Sequence, residues 1–276
     1  MTYKKILKII AFTLLVLLIL LLNVNNLHKT YLIIFGKSGF VTNYNSKQQL
    51  QGEILKYQDG ILLEKLNYIN GVVNGWVTIY YKSGKINYSI HYLKNKQTGK
   101  QYQYYENGQL KSSSNFKNGK LIGSSMWYTE DGILDLYMAY DVYGNCFSTF
   151  NFNKSGNIIK SNGPAVCGDT YSINKEDNSL ILFNFDSYKK NRLSKIQDLY
   201  INVSTPPTTK LDVIVKINNT IYKDLKIKDN LVVVSNAFPT LGNYEVFIET
   251  HLFDNSDKII NGGNVKYNIG KTFYRK

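Results

Sequence analysis

The sequence predicts a mainly β chain in three parts: an N-terminal transmembrane helix, an antiparallel sheet of repeated 24-residue β-hairpins, and a C-terminal β-sandwich. Three observations carry this reading. Residues 9–22 form an uncharged apolar run, glycine then recurs at a fixed spacing, and past residue 172 seven short apolar runs alternate with turn signals. Composition agrees, because 23 Tyr and 14% aromatic residues suit pleated, half-buried surfaces and are foreign to a disordered chain. The predicted boundaries are 1–28 for a signal anchor, 29–52 for a juxtamembrane segment, 53–160 for the hairpins, 161–172 for a linker and 173–276 for the sandwich.

The first element rests on length and charge. Residues 9–27 carry no charge, and as a helix these 19 residues span about 28 Å, close to a hydrocarbon core. Lys4, Lys5 and Lys8 precede the run, so the positive-inside bias keeps the short N-terminus in the cytoplasm. A cleaved signal peptide shares the basic start and apolar core. Such a peptide ends at small residues, whereas the chain here reads NVNNLHKTYL, with no Ala, Gly or Ser and no lipid-accepting Cys. The expectation is a single-pass protein of the cytoplasmic membrane whose C-terminal domains are extracytoplasmic.

The second element rests on a repeat. Gly60, Gly84, Gly108, Gly132 and Gly156 are 24 residues apart, and Leu62, Ile86, Leu110, Leu134 and Ile158 follow two positions later. Tyr80, Tyr104, Tyr128 and Phe152 form another column, and Tyr68, Tyr92, Phe116 and Tyr140 a third. Between the columns the pattern alternates, as in Ile86, Tyr88, Ile90 and Tyr92 against Asn87, Ser89 and His91, which is the period of a half-buried strand. Asp59-Gly60, Ser83-Gly84, Asn107-Gly108, Asp131-Gly132 and Ser155-Gly156 supply turns, where the glycine takes positive φ without a Cβ clash. Asn70-Gly71 and Asn118-Gly119 form a second turn class. Segments such as YYKSGKINYSIHYLKNKQTGKQYQYYENGQLKSSSNFKNGKLIG resemble the MORN-repeat variant of bacterial proteins, the branch labelled YwqK-type antitoxin. The resemblance implies a repeat sheet used for binding, or a protein that neutralises a partner toxin. It weakens after Gly132, where YDVYGNCFSTF moves the glycine to Gly144, as in a terminal cap.

The third element is less regular. Runs at 180–185, 199–203, 211–217, 221–227, 231–234, 244–253 and 265–269, with turns at Thr205-Pro206-Pro207, Asn218-Asn219 and Gly262-Gly263, fit a sandwich of about 100 residues. LGNYEVFIE at 241–249 resembles the start of strand F in immunoglobulin-like folds, with Tyr244 as the corner tyrosine. The two cysteines, Cys146 and Cys167, would lie in an oxidising compartment that permits a disulfide. A loop of that size stabilises by about 3 kcal/mol in the chain-entropy account. The alternative is two separate half-buried thiols acting as small hydrophobes.

No HExxH, G-x-S-x-G, P-loop or Rossmann glycine pattern is present. Glu130-Asp131 falls in a turn column, His91 in a polar strand column, and DNSDKIINGG lacks the Glu that ends a calcium loop. The reading is a non-enzymatic binding protein with no catalytic residues, metal or cofactor. Its candidate binding surface is the aromatic column Trp76, Tyr80, Tyr102, Tyr104 and Tyr128, on one sheet face with Leu62, Ile86 and Tyr92; the alternative is that this face is core. A protein partner is expected, with envelope glycan or lipid as other ligands of the same face. The net charge of +13 adds attraction for anionic envelope surfaces, and nucleic acid is not an expected partner.

Overall fold

The computed structural model describes residues 12–14, 24–173, 180–183, 197–239 and 243–270. Most of the expected membrane span, residues 9–11 and 15–23, lies outside them. Among the described residues no helix is long and apolar enough to cross a membrane. What is described is mainly β and antiparallel, and it divides into two compact units, Met1–Gln109 and Leu110–Lys276.

The N-terminal unit begins with helix α1 (Val24–Ile34), then strands β1 (Gly39–Val41), β2 (Gly52–Gln58), β3 (Ile61–Ile69), β4 (Val72–Val73), β5 (Gly75–Tyr80), β6 (Ile86–Leu93) and β7 (Lys96–Tyr104). The strands pair in the order β1-β2-β3-β5-β6-β7, with β4 on β3. The expected juxtamembrane segment 29–52 therefore contains half a helix and a strand. Burial explains this, because Leu32, at 1% exposure, packs with Val41, Leu55 and Tyr57 and pins α1 to the first hairpin.

Two turn types alternate along the repeats. Asp59-Gly60, Asn70-Gly71, Lys94-Asn95 and Asn118-Gly119 each have both residues at positive φ and close two-residue hairpins. That is the turn whose twist matches paired strands. Gly84 and Gly108 sit instead in longer turns. Tyr81 N donates to Lys85 O at 2.8 Å and Gly84 N to Tyr81 O at 2.9 Å, and Tyr105, Gln109 and Gly108 repeat the pattern. Here only the glycine is at positive φ, 83° and 92°, followed by a bulge that pairs Tyr80 with Ile86. Gly132 and Gly156 close the same longer turn, so Gly60 shares the column but belongs to the other turn type. The irregularity after Gly132 is a turn exchange. Asp141 to Asn145 adopts the longer turn where a two-residue turn is due, with Asp141 Oδ1 accepting from Tyr143 N and Asn145 N, both at 2.8 Å.

The C-terminal unit continues with β8 (Leu110–Lys117), β9 (Lys120–Tyr128), β10 (Leu134–Tyr140), β11 (Cys146–Phe152) and β12 (Ile158–Asn162), paired in chain order. Next come β13 (Val166–Ile173), β14 (Leu180–Phe183), β15 (Gln197–Val203), β16 (Lys210–Ile217), β17 (Thr220–Tyr222), β18 (Ile227–Lys228), β19 (Leu231–Phe238), β20 (Asn243–Phe253) and β21 (Ile259–Gly270). They form two sheets, β14-β13-β15-β19-β18 and β17-β16-β20-β21. Strand β16 alternates between buried and half-buried positions, its Leu211, Val213, Val215 and Ile217 facing inward, and both sheets contribute to one core.

Four expectations change here. The span 161–172 is not a linker, since β13 occupies most of it. The run 221–227 splits into β17 and β18, which join different sheets. The hairpins divide between the two compact units: Tyr137, Ala139, Phe150 and Phe152 of β10 and β11 share a core with Leu199, Val215 and Ile248 of the C-terminal sheets. Cys146 and Cys167 form no disulfide bridge. Cys146 opens β11 near the surface and its thiol contacts Ser148 O at 3.6 Å, whereas Cys167 is 4% exposed on β13 in another sheet.

Candidate interaction surface

Cross-strand register decides which residues share a face, because directly opposed side chains project to the same side. In the N-terminal unit Trp76 opposes His91, Thr78 opposes Ser89, and Ser89 opposes Tyr102. Ring geometry agrees: Trp76 lies edge-on to His91 at 5.2 Å and stacks with Tyr102 at 6.2 Å, and Tyr102 reaches Tyr104 at 6.5 Å. Tyr80 opposes Ile86 across the bulge. Register and ring contacts thus bring Trp76, Tyr102 and Tyr104 together on one face, with Tyr80 opposite Ile86, while Tyr128 belongs to the C-terminal unit. Tyr92 falls on the other face: it neighbours His91 in the strand, and Ile90 on that side opposes the buried Val77.

His91 was expected as a solvated strand residue. It is half-buried beneath Trp76, and its Nδ1 is 2.9 Å from Thr98 O. A carbonyl only accepts, so Nδ1 carries the proton, and in the neutral ring Nε2 is the acceptor. Strand alternation placed His91 among polar residues and missed its ring contact. The signal that finds it is the register set by the turn at Tyr81–Lys85, which puts position 91 opposite 76.

The same face is covered at one end of the unit. Leu55 opposes Lys65, Lys65 opposes Thr78, and Tyr57 opposes Leu62. Leu55, Tyr57 and Leu62 lie under Leu32 of α1. Lys65 pairs with Glu53, and that contact raises the lysine pKa. From Trp76 onward no described element of the unit covers the face, and Trp76 is 46% exposed. Tyr81, which the columns did not single out, donates its hydroxyl to Tyr104 O at 2.7 Å and ties the two turns together.

In the C-terminal unit the equivalent columns are closed. Phe150 and Phe152 stand 48 residues after Tyr102 and Tyr104 and are 0% and 4% exposed in the shared core. Tyr128 is half-buried, its pKa raised by burial, and its hydroxyl lies 3.4 Å from Met126 Sδ. Tyr137 is fully buried. Its hydroxyl accepts from Asn230 Nδ2 at 2.5 Å and from Thr205 N at 3.1 Å, fastening the hairpins to two loops of the C-terminal sheets.

The tempting acid–base and cation candidates have turn roles. Asp131 is held below the usual carboxylate range by the Thr129 hydroxyl, and Asp254 by Ser256 and nearby backbone N–H groups. Among the described residues no group of three or more His, Cys, Asp or Glu is placed to hold a metal. Burial pushes the Cys146 thiol up, away from the reactive thiolate.

No protein-family profile matches the chain, and no curated relative matches it. Among solved structures, the crystal structure of the GtfA/B complex bound to UDP and GlcNAc aligns with 40% of this chain and 22% of its own, at 15% identity and a TM-score of 0.22. A likeness of that size carries no argument about fold or function.

Proposed function

We propose that the chain is a non-enzymatic, membrane-tethered binding or scaffold protein of the cell envelope that takes a protein partner on the aromatic face of its N-terminal unit. The observation that carries this is the contrast in coverage. One periodic face is sealed by the C-terminal sheets at Phe150 and Phe152, yet presents a ring cluster around the 46%-exposed Trp76 in the earlier repeats. Rigid aromatic rings backed by a sheet offer large contact area at small entropy loss.

The hairpin repeats and their turn grammar support the likeness to the MORN-repeat variant. The strand order supports an immunoglobulin-like sandwich. With β13, β15, β19 and β18 as A, B, E and D, and β17, β16, β20 and β21 as C′, C, F and G, the two sheets match the ABED and C′CFG arrangement. Tyr244 stands at the start of strand F, the place a corner tyrosine takes, and is 8% exposed and edge-on to Phe238 at 5.1 Å. The tether rests on the basic start and the apolar run at 9–22.

The test is a pull-down from detergent-solubilised membranes with Trp76→Ala and Tyr102→Ala, alongside thermal melts. An aromatic anchor at the centre of an interface is worth about 2 kcal/mol or more, so the variants should lose roughly 30-fold in affinity while still folding. Partner recovery equal to wild type from both folded variants would refute the proposed surface.

A further inference from the structure

Helix α1 has two sides with different fates. Leu32 faces the first hairpin, and the helix end is locked there: Lys37 N donates to Leu32 O at 2.9 Å and Gly60 N to Lys37 O at 3.1 Å. Val24, Leu27, Tyr31, Ile34 and Phe35 fall on another side. Their spacing of three, four, three and one keeps them within about a third of the helix circumference. All five are exposed, from 47% at Tyr31 to 68% at Ile34. The rings of Tyr31 and Phe35 lie 5.2 Å apart on that stripe. Lys29, by helical spacing, projects away from it, beside Ile33, which is 48% exposed.

We infer that this stripe of α1 is embedded in the lipid headgroup–acyl boundary, so that the helix seats the first hairpin on the membrane surface. The occupant follows from continuity. The stripe overlaps the end of the uncharged run, residues 9–27, whose 19 residues as a helix would span about 28 Å, close to a hydrocarbon core. A segment emerging from a bilayer at that point meets the interface first. Tyr and Phe beside leucine and isoleucine, with lysine on the opposite side, are the residue types that partition there. A protein partner would need no such adjacency. Because Leu32 and the Gly60 contact hold α1 to β2 and β3, embedding the stripe would also fix the orientation of the first strands toward the bilayer. A Cβ at Gly60 would meet Gly36 Cα and Ile33 O at 3.0 Å, so this junction has no slack. The inference rests on the membrane-tether reading and goes one step further, to a second and shallower membrane contact.

The experiment uses the full chain, with Cys146→Ser and Cys167→Ala, reconstituted in vesicles containing anionic phospholipid. Nitroxide labels are placed singly through Leu27→Cys, Ile34→Cys, Lys29→Cys and Leu18→Cys, and each is read for collision with oxygen and with a polar nickel complex. The expected result is oxygen-dominated collision at positions 27 and 34 and nickel-dominated collision at 29. Nickel-dominated signals at 27 and 34 with an oxygen-dominated signal at 18 would overturn the interfacial helix and leave the tether standing. Loss of oxygen dominance at 18 as well, with protein washing off the vesicles, would overturn both. Low collision with both reagents at 27 and 34 would mean a protein covers the stripe and would also overturn the inference.

Discussion

Gly156 and Gly163 make a controlled pair for testing the C-terminal unit, because both sit at φ 78° and only their surroundings differ. At Gly156 an added Cβ meets nothing within 4 Å. Gly156→Ala therefore carries only the left-handed backbone penalty, about 1–2 kcal/mol. At Gly163 the same Cβ would fall 2.0 Å from Phe147 O, 3.0 Å from Phe147 C and 3.2 Å from Ser148 Cα. Those are backbone atoms of β11, which no rotamer change can remove, so the strand must shift. Overpacking of that kind adds about 1–3 kcal/mol, bringing Gly163→Ala to about 2–5 kcal/mol. Gly168 completes the series. It lies outside the left-handed region with nothing within 4 Å of its Cβ, so Gly168→Ala should be within about 0.5 kcal/mol of wild type or slightly stabilising. Urea unfolding of the solubilised full chain, followed by a probe in the C-terminal unit, reads all three. Equal losses for Gly156→Ala and Gly163→Ala would refute the close passage of residue 163 over β11.

Three further outcomes are expected. Gly108, at φ 92° with open space around its Cβ, should lose more than about 1 kcal/mol on replacement by Val, whereas a Lys111 substitution should stay within about 0.5 kcal/mol; equal shifts in thermal midpoint would mean the turn register is wrong. Tyr137→Phe removes the acceptor for Asn230 Nδ2 and Thr205 N inside the core and should cost about 1–3 kcal/mol, and an unchanged urea midpoint would refute that role. Tyr171, stacked on Tyr200 at 5.2 Å, is pushed up to about 12 by burial. The folded chain thus holds this proton more tightly than the unfolded chain does at 10.0, so the contribution is complete below that pH and is lost as pH rises toward about 12. The midpoint of Tyr171→Phe should fall less steeply over that window than wild type, and parallel curves would count against the buried phenol.

Local signals in the sequence were enough for most of the hairpin strands and their turns. Asn-Gly and Asp-Gly pairs, a 24-residue glycine column and two-residue alternation are short-range, and they predict hairpins because hairpin geometry is itself short-range. Lys94-Asn95 escaped notice because neither residue is glycine, although both take positive φ, 49° and 64°. Register was less legible. The bulge after each longer turn moves one side chain across the sheet, and that step separates Tyr92 from Trp76 and brings His91 beneath it. Strand β13 was missed because only Thr170–Ile173 alternates, while Val166-Cys167-Gly168-Asp169 does not and includes a glycine.

Coverage was the quantity furthest from reach, and it is the one that bears on function. A repeat carries its chemistry from copy to copy but not its surroundings. Tyr102 and Phe150 stand at the same place in the period, and no local property says that one is half-buried and the other fully closed. The difference is made by chain that follows: Val215, Ile248 and Leu252 lie tens of residues beyond Phe150, and they convert its face into core. At the other end Leu32, which precedes the repeats, does the same for Leu55 and Tyr57. The face is therefore closed wherever flanking sequence supplies a second layer, and in the N-terminal unit it is open from Trp76 onward. Solvent-facing Trp stacked on Tyr at a sheet centre is costly to leave wet, at about 25 cal/mol for each Å² of apolar surface that a partner would cover. If that surface were core, polar replacement of Trp76 would lower stability, because its ring packing on His91 and Tyr102 would be lost. Loss of binding from a variant with unchanged stability would then have no explanation except contact.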